Sequence, residues 1–75
     1  MEYLVVYEQS KDGWGAYVPD LPGLGVVGDT FEEVQQLIAE GIPLHLEALR
    51  DHGESIPKPS ARSAYVLVSD RQESA

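Results

Sequence analysis

The stretch Pro-Asp-Leu-Pro-Gly at residues 19–23 constrains the fold of this chain more than any other feature. Each proline fixes its own φ angle and lacks the N–H group that a strand interior needs, so the backbone has to turn here. The segments on either side, 14–18 and 24–27, carry residues that favour strands, although Gly25 weakens the second. The sequence therefore predicts two antiparallel strands joined by this turn.

A strand that precedes them and a helix that follows complete the first part of the chain. Residues 3–8 are rich in β-branched and aromatic side chains, which favour a strand, and Ser-Lys-Asp-Gly at 10–13 is typical of a hairpin turn. Thr30 and Glu33 have the spacing of a capping box, in which each side chain accepts from the backbone of the other. Apolar residues then follow helical spacing as far as Gly53, a plausible helix terminator, and Pro43 predicts a kink or a break.

A fourth strand is predicted at residues 64–68, after the extended linker Ile-Pro-Lys-Pro at 56–59. It would run in the same direction as the first strand and form a right-handed crossover beside it. The expected fold class is α+β, β-β-β-α-β, with strand order 3-2-1-4 and one helix on one face of the sheet. We expect a single domain over residues 1–75, with an ordered core at about 3–68 and a frayed tail at 69–75.

One helix can cover only one face of this sheet. The alternation predicts that Tyr3, Val5 and Tyr7 share the helix side with Trp14, Ala16 and Val18. The opposite face would still be apolar, whereas a solvated face normally carries polar side chains. Both that face and the uncharged last strand suggest association with another protein, unless the linker at 54–63 covers them. The candidate interface residues are Leu4, Val6, Tyr17, Tyr65, Val66, Leu67 and Val68.

The charge of the chain excludes several classes of partner. Thirteen acidic residues against five basic ones give a net charge of -8, and no basic stripe offers a surface for phosphates. A basic protein is the electrostatically natural partner, although the acidity could also serve only solubility. There is no Cys, and no signal or membrane-spanning segment is visible, so we expect a cytoplasmic location without membrane contact.

Three patterns that can carry chemistry are weak in this sequence. Gly-Leu-Gly-Val-Val-Gly at 23–28 matches the dinucleotide fingerprint, but the motif itself has strand character and acids crowd the helix start. His45 and His52 are seven residues apart, whereas helical metal pairs are spaced by three or four. Asp12, Asp20 and Asp29 fit turns and a helix start better than a metal site. We assign no catalytic, cofactor or metal-binding residue and do not expect an enzyme.

Several blocks of the sequence together resemble the HicB family of antitoxins. The most specific are Val-Pro-Asp-Leu-Pro-Gly at 18–23 and Gly-Asp-Thr at 28–30, followed by a Glu pair at 32–33. Residues 3–8 and the Ile-Pro-Lys-Pro linker are similar as well, so that the resemblance covers roughly 3–68. It implies a partial ribonuclease-H-like fold without nuclease activity. It also implies a homo-dimer or homo-tetramer that masks a HicA-type toxin, a small basic protein that cleaves mRNA.

Two departures qualify what the resemblance implies. Leu24 stands where many relatives have Cys, and only seven residues follow the last predicted strand, where many relatives continue into a DNA-binding segment. Direct DNA binding is therefore not expected, whereas toxin binding is unaffected. The acidic residues expected to face the toxin are Asp20, Asp29, Glu32 and Glu33. The alternative is a solitary homo-oligomeric module, structural or ligand-binding, that has no toxin partner.

Overall fold

A computed structural model describes residues 1–70 of the chain as three strands and one helix. The strands are β1 (Val6–Ser10), β2 (Gly13–Tyr17) and β3 (Gly25–Gly28), and the helix is α1 (Phe31–Asp51). β2 pairs with β1 and β3, both in antiparallel orientation, so the sheet has the order β1-β2-β3. The predicted α+β class is confirmed. Most of the predicted tail, residues 71–75, lies outside the described part.

The register of the hairpin gives the sheet two unlike faces. Tyr7 pairs with Ala16, and both point toward α1, where Ala16 is buried. Val6 pairs with Tyr17 on the opposite face, where Tyr17 is 43 % exposed. The faces are therefore those that the alternation in the sequence predicts. The buried core is formed by Ala16, Val18, Leu21, Val34, Ile38 and Leu46.

Helix α1 begins and ends as the sequence predicts but does not break in the middle. Thr30 is the N-cap, and Gly53 after the helix has a positive φ of 71°, which glycine adopts without strain. Pro43 lies inside the helix, which is continuous from Phe31 to Asp51. The chain tolerates the proline because Val34, Ile38 and Leu46 are buried against the sheet on both sides of it. Packing of that face outweighs the local cost.

The predicted fourth strand does not form. Residues 64–68 have no strand structure, so the order 3-2-1-4 and the ribonuclease-H-like topology are not shown. The reason lies in the linker before them, which is tied to the body of the protein. The Tyr3 hydroxyl donates a hydrogen bond to the Pro57 carbonyl, and the Asp20 carboxylate accepts bonds from Ser60 and Ala61. Residues 64–68, which follow these hydrogen bonds, do not pack against the core and are exposed.

Candidate functional site

The turn between β1 and β2 and the start of α1 form one acidic end of the molecule. Trp14 pairs with Gly28, which places the turn residue Asp12 near the helix entrance at Asp29. The approach is close, since a Cβ atom on Gly13 would collide with the Gly28 carbonyl oxygen. Carboxylates that are 17 residues apart in the sequence are therefore brought to the same end of the sheet by the register alone.

The capping box fixes part of this acidic end. The Glu33 N–H donates to Thr30 Oγ1 at 3.1 Å, and Glu33 Oε1 accepts from the Asp29 N–H at 2.9 Å. The carboxylate reaches one residue further back than the simple capping box predicts. The Glu32 side chain makes no hydrogen bond or ion pair within residues 1–70 and is exposed. Both glutamates lie in the first helical turn, where the helix dipole favours negative charge.

A shallow groove opens at this acidic end. Trp14 lines it, and its ring packs edge-to-face against Phe31 on the helix side of the sheet, with ring centroids 5.0 Å apart. Phe31 also contacts Tyr7 in the same way, at 4.8 Å, so the first residue of α1 is fixed between two strands. The groove is lined by Glu8, Gln9, Ser10, Asp12, Gly13, Trp14, Gly15, Val27, Gly28 and Asp29. We call it the acidic groove.

Nothing within residues 1–70 neutralises the acidic groove. No ion pair forms between any acidic and any basic side chain of the described chain. Glu8, Asp12 and Asp29 are all exposed. With three carboxylates along its lining, the acidic groove suits a cationic group such as an arginine or lysine of another protein.

Asp20 lies at the opposite end of the sheet from Asp29. It follows β2, whereas Asp29 lies beside the beginning of β2. Its carboxylate accepts three hydrogen bonds from the linker: from the N–H groups of Ser60 at 2.9 Å and Ala61 at 3.0 Å, and from the Ser60 hydroxyl at 2.9 Å. The two backbone bonds hold the pKa of Asp20 below its ordinary value, and the bond from Ala61 has the larger effect. The predicted set of toxin-facing acids is thus divided, and Asp20 is a structural anchor.

The predicted apolar interface residues also fall into two groups. Leu4 and Val6 are half-buried, and Tyr17 is exposed beside them on the open face of the sheet. Val27, which the sequence analysis did not select, is 80 % exposed on that same face. The second group is the segment 64–68, which we call the arm. Its four large side chains, Tyr65, Val66, Leu67 and Val68, are exposed and belong to no core cluster.

The weaker chemical patterns are not assembled into a site. Gly25 and Gly28 of the glycine motif belong to β3, in agreement with the strand reading. The His52 ring lies 2.8 Å from the Ala48 carbonyl oxygen at the end of α1, while His45 is half-buried. Among residues 1–70, no three His, Asp or Glu side chains converge on a point where they could hold a metal ion. No helix of this part is long and apolar enough to cross a membrane.

Sequence reasoning missed Glu8 and Trp14 as members of the acidic groove. Trp14 had been assigned to the helix side, which is correct, but its position next to Gly28 also brings it to the groove. A signal was present, because Glu8 is the one charged residue within β1 and lies opposite Gly15. Because Gly15 has no side chain, space is left open beside the Glu8 carboxylate.

Comparison with known families identifies the family of this chain. The family model described as "HicB_like antitoxin of bacterial toxin-antitoxin system" matches residues 3–73. This match includes all three strands, α1, the linker and the arm. The chain therefore belongs to the HicB-like antitoxin family.

Three curated relatives share a large part of the sequence. A UPF0150 protein of Thermoplasma acidophilum, Ta0767, is 36 % identical over 67 residues, which is 88 % of this chain and 97 % of the relative. A UPF0150 protein of Synechocystis, ssr1765, is 42 % identical over 57 residues, covering 75 % of this chain and 72 % of the relative. An uncharacterized 14.9 kDa protein of Haemophilus phage HP1 is 33 % identical over 66 residues, which is 88 % of this chain. The chain spans 50 % of the phage protein.

Proposed function

We propose that the protein neutralises a small basic HicA-type mRNA-cleaving toxin by binding it directly in the cytoplasm, without catalysing a reaction. Membership of the HicB-like antitoxin family supports a toxin as the partner. The observation that carries the proposal is the acidic groove, whose carboxylates no basic side chain within residues 1–70 neutralises. An uncompensated acidic surface attracts and orients a basic protein.

Two features of the acidic groove fit a protein partner. Trp14, which lines the groove, is fixed by its ring contact with Phe31 on the helix side, so this part of β2 loses little freedom when a partner binds. Asp12 and Asp29 line the groove, and Glu32 follows in the first turn of α1. None of these three side chains makes a hydrogen bond within the described chain. Basic side chains of the toxin would then pair with these carboxylates. A toxin that is held by its basic surface cannot present that surface to the phosphates of mRNA.

The same charge argues against direct binding of operator DNA by this chain. At a net charge of -8, phosphates are repelled, and residues 1–70 show no cluster of basic side chains that could offset this. We therefore propose a role in protein binding alone, with the protein acting as a homo-dimer or homo-tetramer.

Calorimetric titration of the purified protein with a HicA-type toxin tests the proposal. The decisive variant reverses two charges at the acidic end, Asp12→Lys with Glu32→Lys. The matched control makes the same change in net charge at exposed positions at the far end of the helix and just beyond it, Glu47→Lys with Glu54→Lys. Two attractions are replaced by two repulsions, so we expect the first variant to weaken Kd by about thirtyfold. The control should change Kd only a few-fold.

Growth rescue on co-expression gives an independent readout. The wild type should restore growth of cells that produce the toxin, and the Asp12→Lys, Glu32→Lys variant should not. If the wild type neither binds the toxin nor rescues growth, the proposal is wrong. Equal weakening in both double variants would show that overall charge attracts the toxin and that the acidic end of the molecule is not its site.

The solitary module without a toxin is supported by one observation, the half-buried Gly15 in the acidic groove. The absence of a side chain there leaves room for a small ligand in the groove that Asp12 and Asp29 also line. Titration with divalent metal ions and with nucleotides tests this alternative. Heat of binding that disappears in Asp29→Asn would support it, and the absence of heat would exclude these ligands.

A further inference from the structure

The arm exposes more apolar surface than an isolated chain in water can easily support. Tyr65 is 105 % exposed and Leu67 is 99 % exposed, which is the accessibility of an unfolded chain. The molecule is correspondingly elongated, with dimensions of 55 × 28 × 17 Å and a radius of gyration of 16.0 Å. A compact chain of this length would have a radius of about 11 Å. Consecutive exposed apolar residues of this kind indicate a contact surface.

The edge of the sheet formed by β1 is open. Within residues 1–70, β1 pairs only with β2. The N–H and C=O groups of β1 that point away from β2, which belong to every second residue, therefore have no backbone partner. β1 also has few of the features that protect an edge. It contains no proline, and Glu8 is its one charged residue. Such an edge is a template for another strand.

The linker determines where the arm can go. Ile56 packs against the core, Tyr3 bonds to Pro57, and Asp20 holds Ser60 and Ala61. These contacts fix the chain as far as residue 61 on the body. Because the arm is extended beyond that point and away from the core, its side chains do not cover the edge of its own β1.

We propose that the arm of each copy adds as a fourth strand beside β1 of a second copy, so that two chains exchange arms around a two-fold axis. The lengths agree, since residues 64–68 match the five residues of Val6–Ser10. In a strand the arm would place Tyr65 and Leu67 on one face and Val66 and Val68 on the other. One pair then extends the open apolar face next to Val6, and the other extends the core side.

Charge favours a second copy over a basic toxin as the occupant. Residues 55–69 contain Lys58 and Arg62 and no acidic side chain, whereas the chain as a whole carries -8. The arm itself is uncharged, and the weakly basic segment that carries it is attracted to the acidic body of another copy. A basic toxin would find no carboxylate on the arm. The exchanged contact is also reciprocal, as a closed two-fold dimer requires.

Light scattering and amide hydrogen exchange on the full chain test the proposal. The decisive variant is Val66→Pro with Leu67→Pro, because neighbouring residues donate to opposite sides, and one of the two prolines must remove a donor from the new ladder. The control, Val66→Thr with Leu67→Thr, keeps both N–H groups and favours strands. We expect the proline variant to weaken dimerisation by about tenfold or more relative to this control. Its thermal unfolding as a monomer should be unchanged, because the arm is outside the core.

Hydrogen exchange identifies the strand that receives the arm. In the wild-type dimer, the outward amides within residues 4–10 should be protected, and they should lose protection on dilution and in the proline variant. A wild type that is monomeric at high concentration overturns the proposal, whether β1 is protected by its own arm or open. A dimer that survives the two prolines overturns it as well and assigns the contact to the open face around Tyr17. Toxin binding is measured separately, so either proposal can fail without the other.

Discussion

At the scale of single residues, Gly13 shows how the acidic end is held together. A Cβ at this position would overlap the Gly28 carbonyl oxygen, which belongs to the neighbouring strand and cannot move alone. We expect Gly13→Ala to destabilise the protein by about 1–3 kcal/mol, because β3 has to shift away from β2. Urea unfolding measures this change. Gly15→Ala is the matched control, since its Cβ would meet Val26 O only at an ordinary 3.6 Å.

These two substitutions also test whether the acidic groove depends on the register of the sheet. If Gly13→Ala displaces β3, Asp29 moves with it, and toxin binding should weaken at the same time as stability. Gly15→Ala should leave stability and the position of Asp29 nearly as in the wild type. Equal stability of the two variants would contradict the close approach of Gly13 to Gly28.

Asp20 is the residue whose ionisation is coupled to the linker. Hydrogen bonds from Ala61 and Ser60 lower its pKa below 3.8, so the carboxylate form is the one that the folded structure favours. Its contribution to stability is therefore complete above that value and is lost as the pH falls through the lower, folded pKa. In an NMR titration, the Ser60 and Ala61 amide signals should shift together with a midpoint below 3.8.

Substitution of Asp20 tests whether its hydrogen bonds, and not the net charge of the chain, hold the linker in place. Asp20→Asn retains one acceptor oxygen but loses the charge and the second acceptor, so exchange of the Ser60 and Ala61 amide hydrogens should accelerate several-fold. Asp12→Asn removes the same charge at the opposite end of the sheet and should leave these amides unchanged. If Asp12→Asn accelerates them equally, the linker responds to overall charge and Asp20 does not anchor it.

At the scale of elements, α1 shows which local rules tertiary packing overrides. Pro43 has no N–H to donate to the Ala39 carbonyl, yet the helix continues for eight more residues to Asp51. We expect Pro43→Ala to raise the free energy of unfolding by about 1–3 kcal/mol, because it restores that bond and removes the clash of the ring. The neighbouring exposed residue gives the control, with Leu44→Ala changing stability by about 0.5 kcal/mol or less.

Denaturant unfolding of both variants decides this point. A stabilised Pro43→Ala with unchanged helix content by circular dichroism would show that the proline is tolerated at a cost. A destabilised Pro43→Ala would contradict this account, because it would mean that the ring itself packs favourably against the sheet.

The strands show how far local sequence determines elements. Three strands were predictable from alternation and turn residues, and the helix from Thr30, Glu33 and Gly53. The predicted start of β1 at Tyr3 was wrong by three residues, because the strand begins at Val6. The cause lies in β2, since Val18 already belongs to the next turn, where its carbonyl accepts from the Leu21 N–H at 2.9 Å. Residues before Val6 therefore have no partner opposite them on β2.

Non-local contacts explain what the sequence could not predict. The composition of residues 64–68 indicates a strand, but a strand requires a partner edge, and the linker contacts of Asp20 carry the arm away from the body. For the same reason Asp20 was grouped with Asp29 as an exposed acid. Its hydrogen-bond partners are 40 and 41 residues further along the chain, and no local pattern indicates them.

At the scale of the whole molecule, two surfaces of opposite character predict opposite responses to salt. The acidic groove belongs to a body whose carboxylates are not neutralised by ion pairs within residues 1–70, whereas the arm is apolar and carries no acid. Added salt shortens the Debye length from about 10 Å at 0.1 M to about 3 Å at 1 M, which screens exposed charges. Toxin binding should therefore weaken by about tenfold or more over this range, mainly through a slower association rate.

Self-association should change in the other direction or not at all. Two copies with a net charge of -8 repel each other at long range, and salt removes that repulsion. The contact between arm and β1 consists of backbone hydrogen bonds and apolar side chains, which salt does not screen. We expect the dimer constant from light scattering to stay equal or to strengthen from 0.1 to 1 M salt, conditions under which the Debye length falls about threefold. A dimer that dissociates in high salt would show that ion pairs, and not the arm, hold the two copies together.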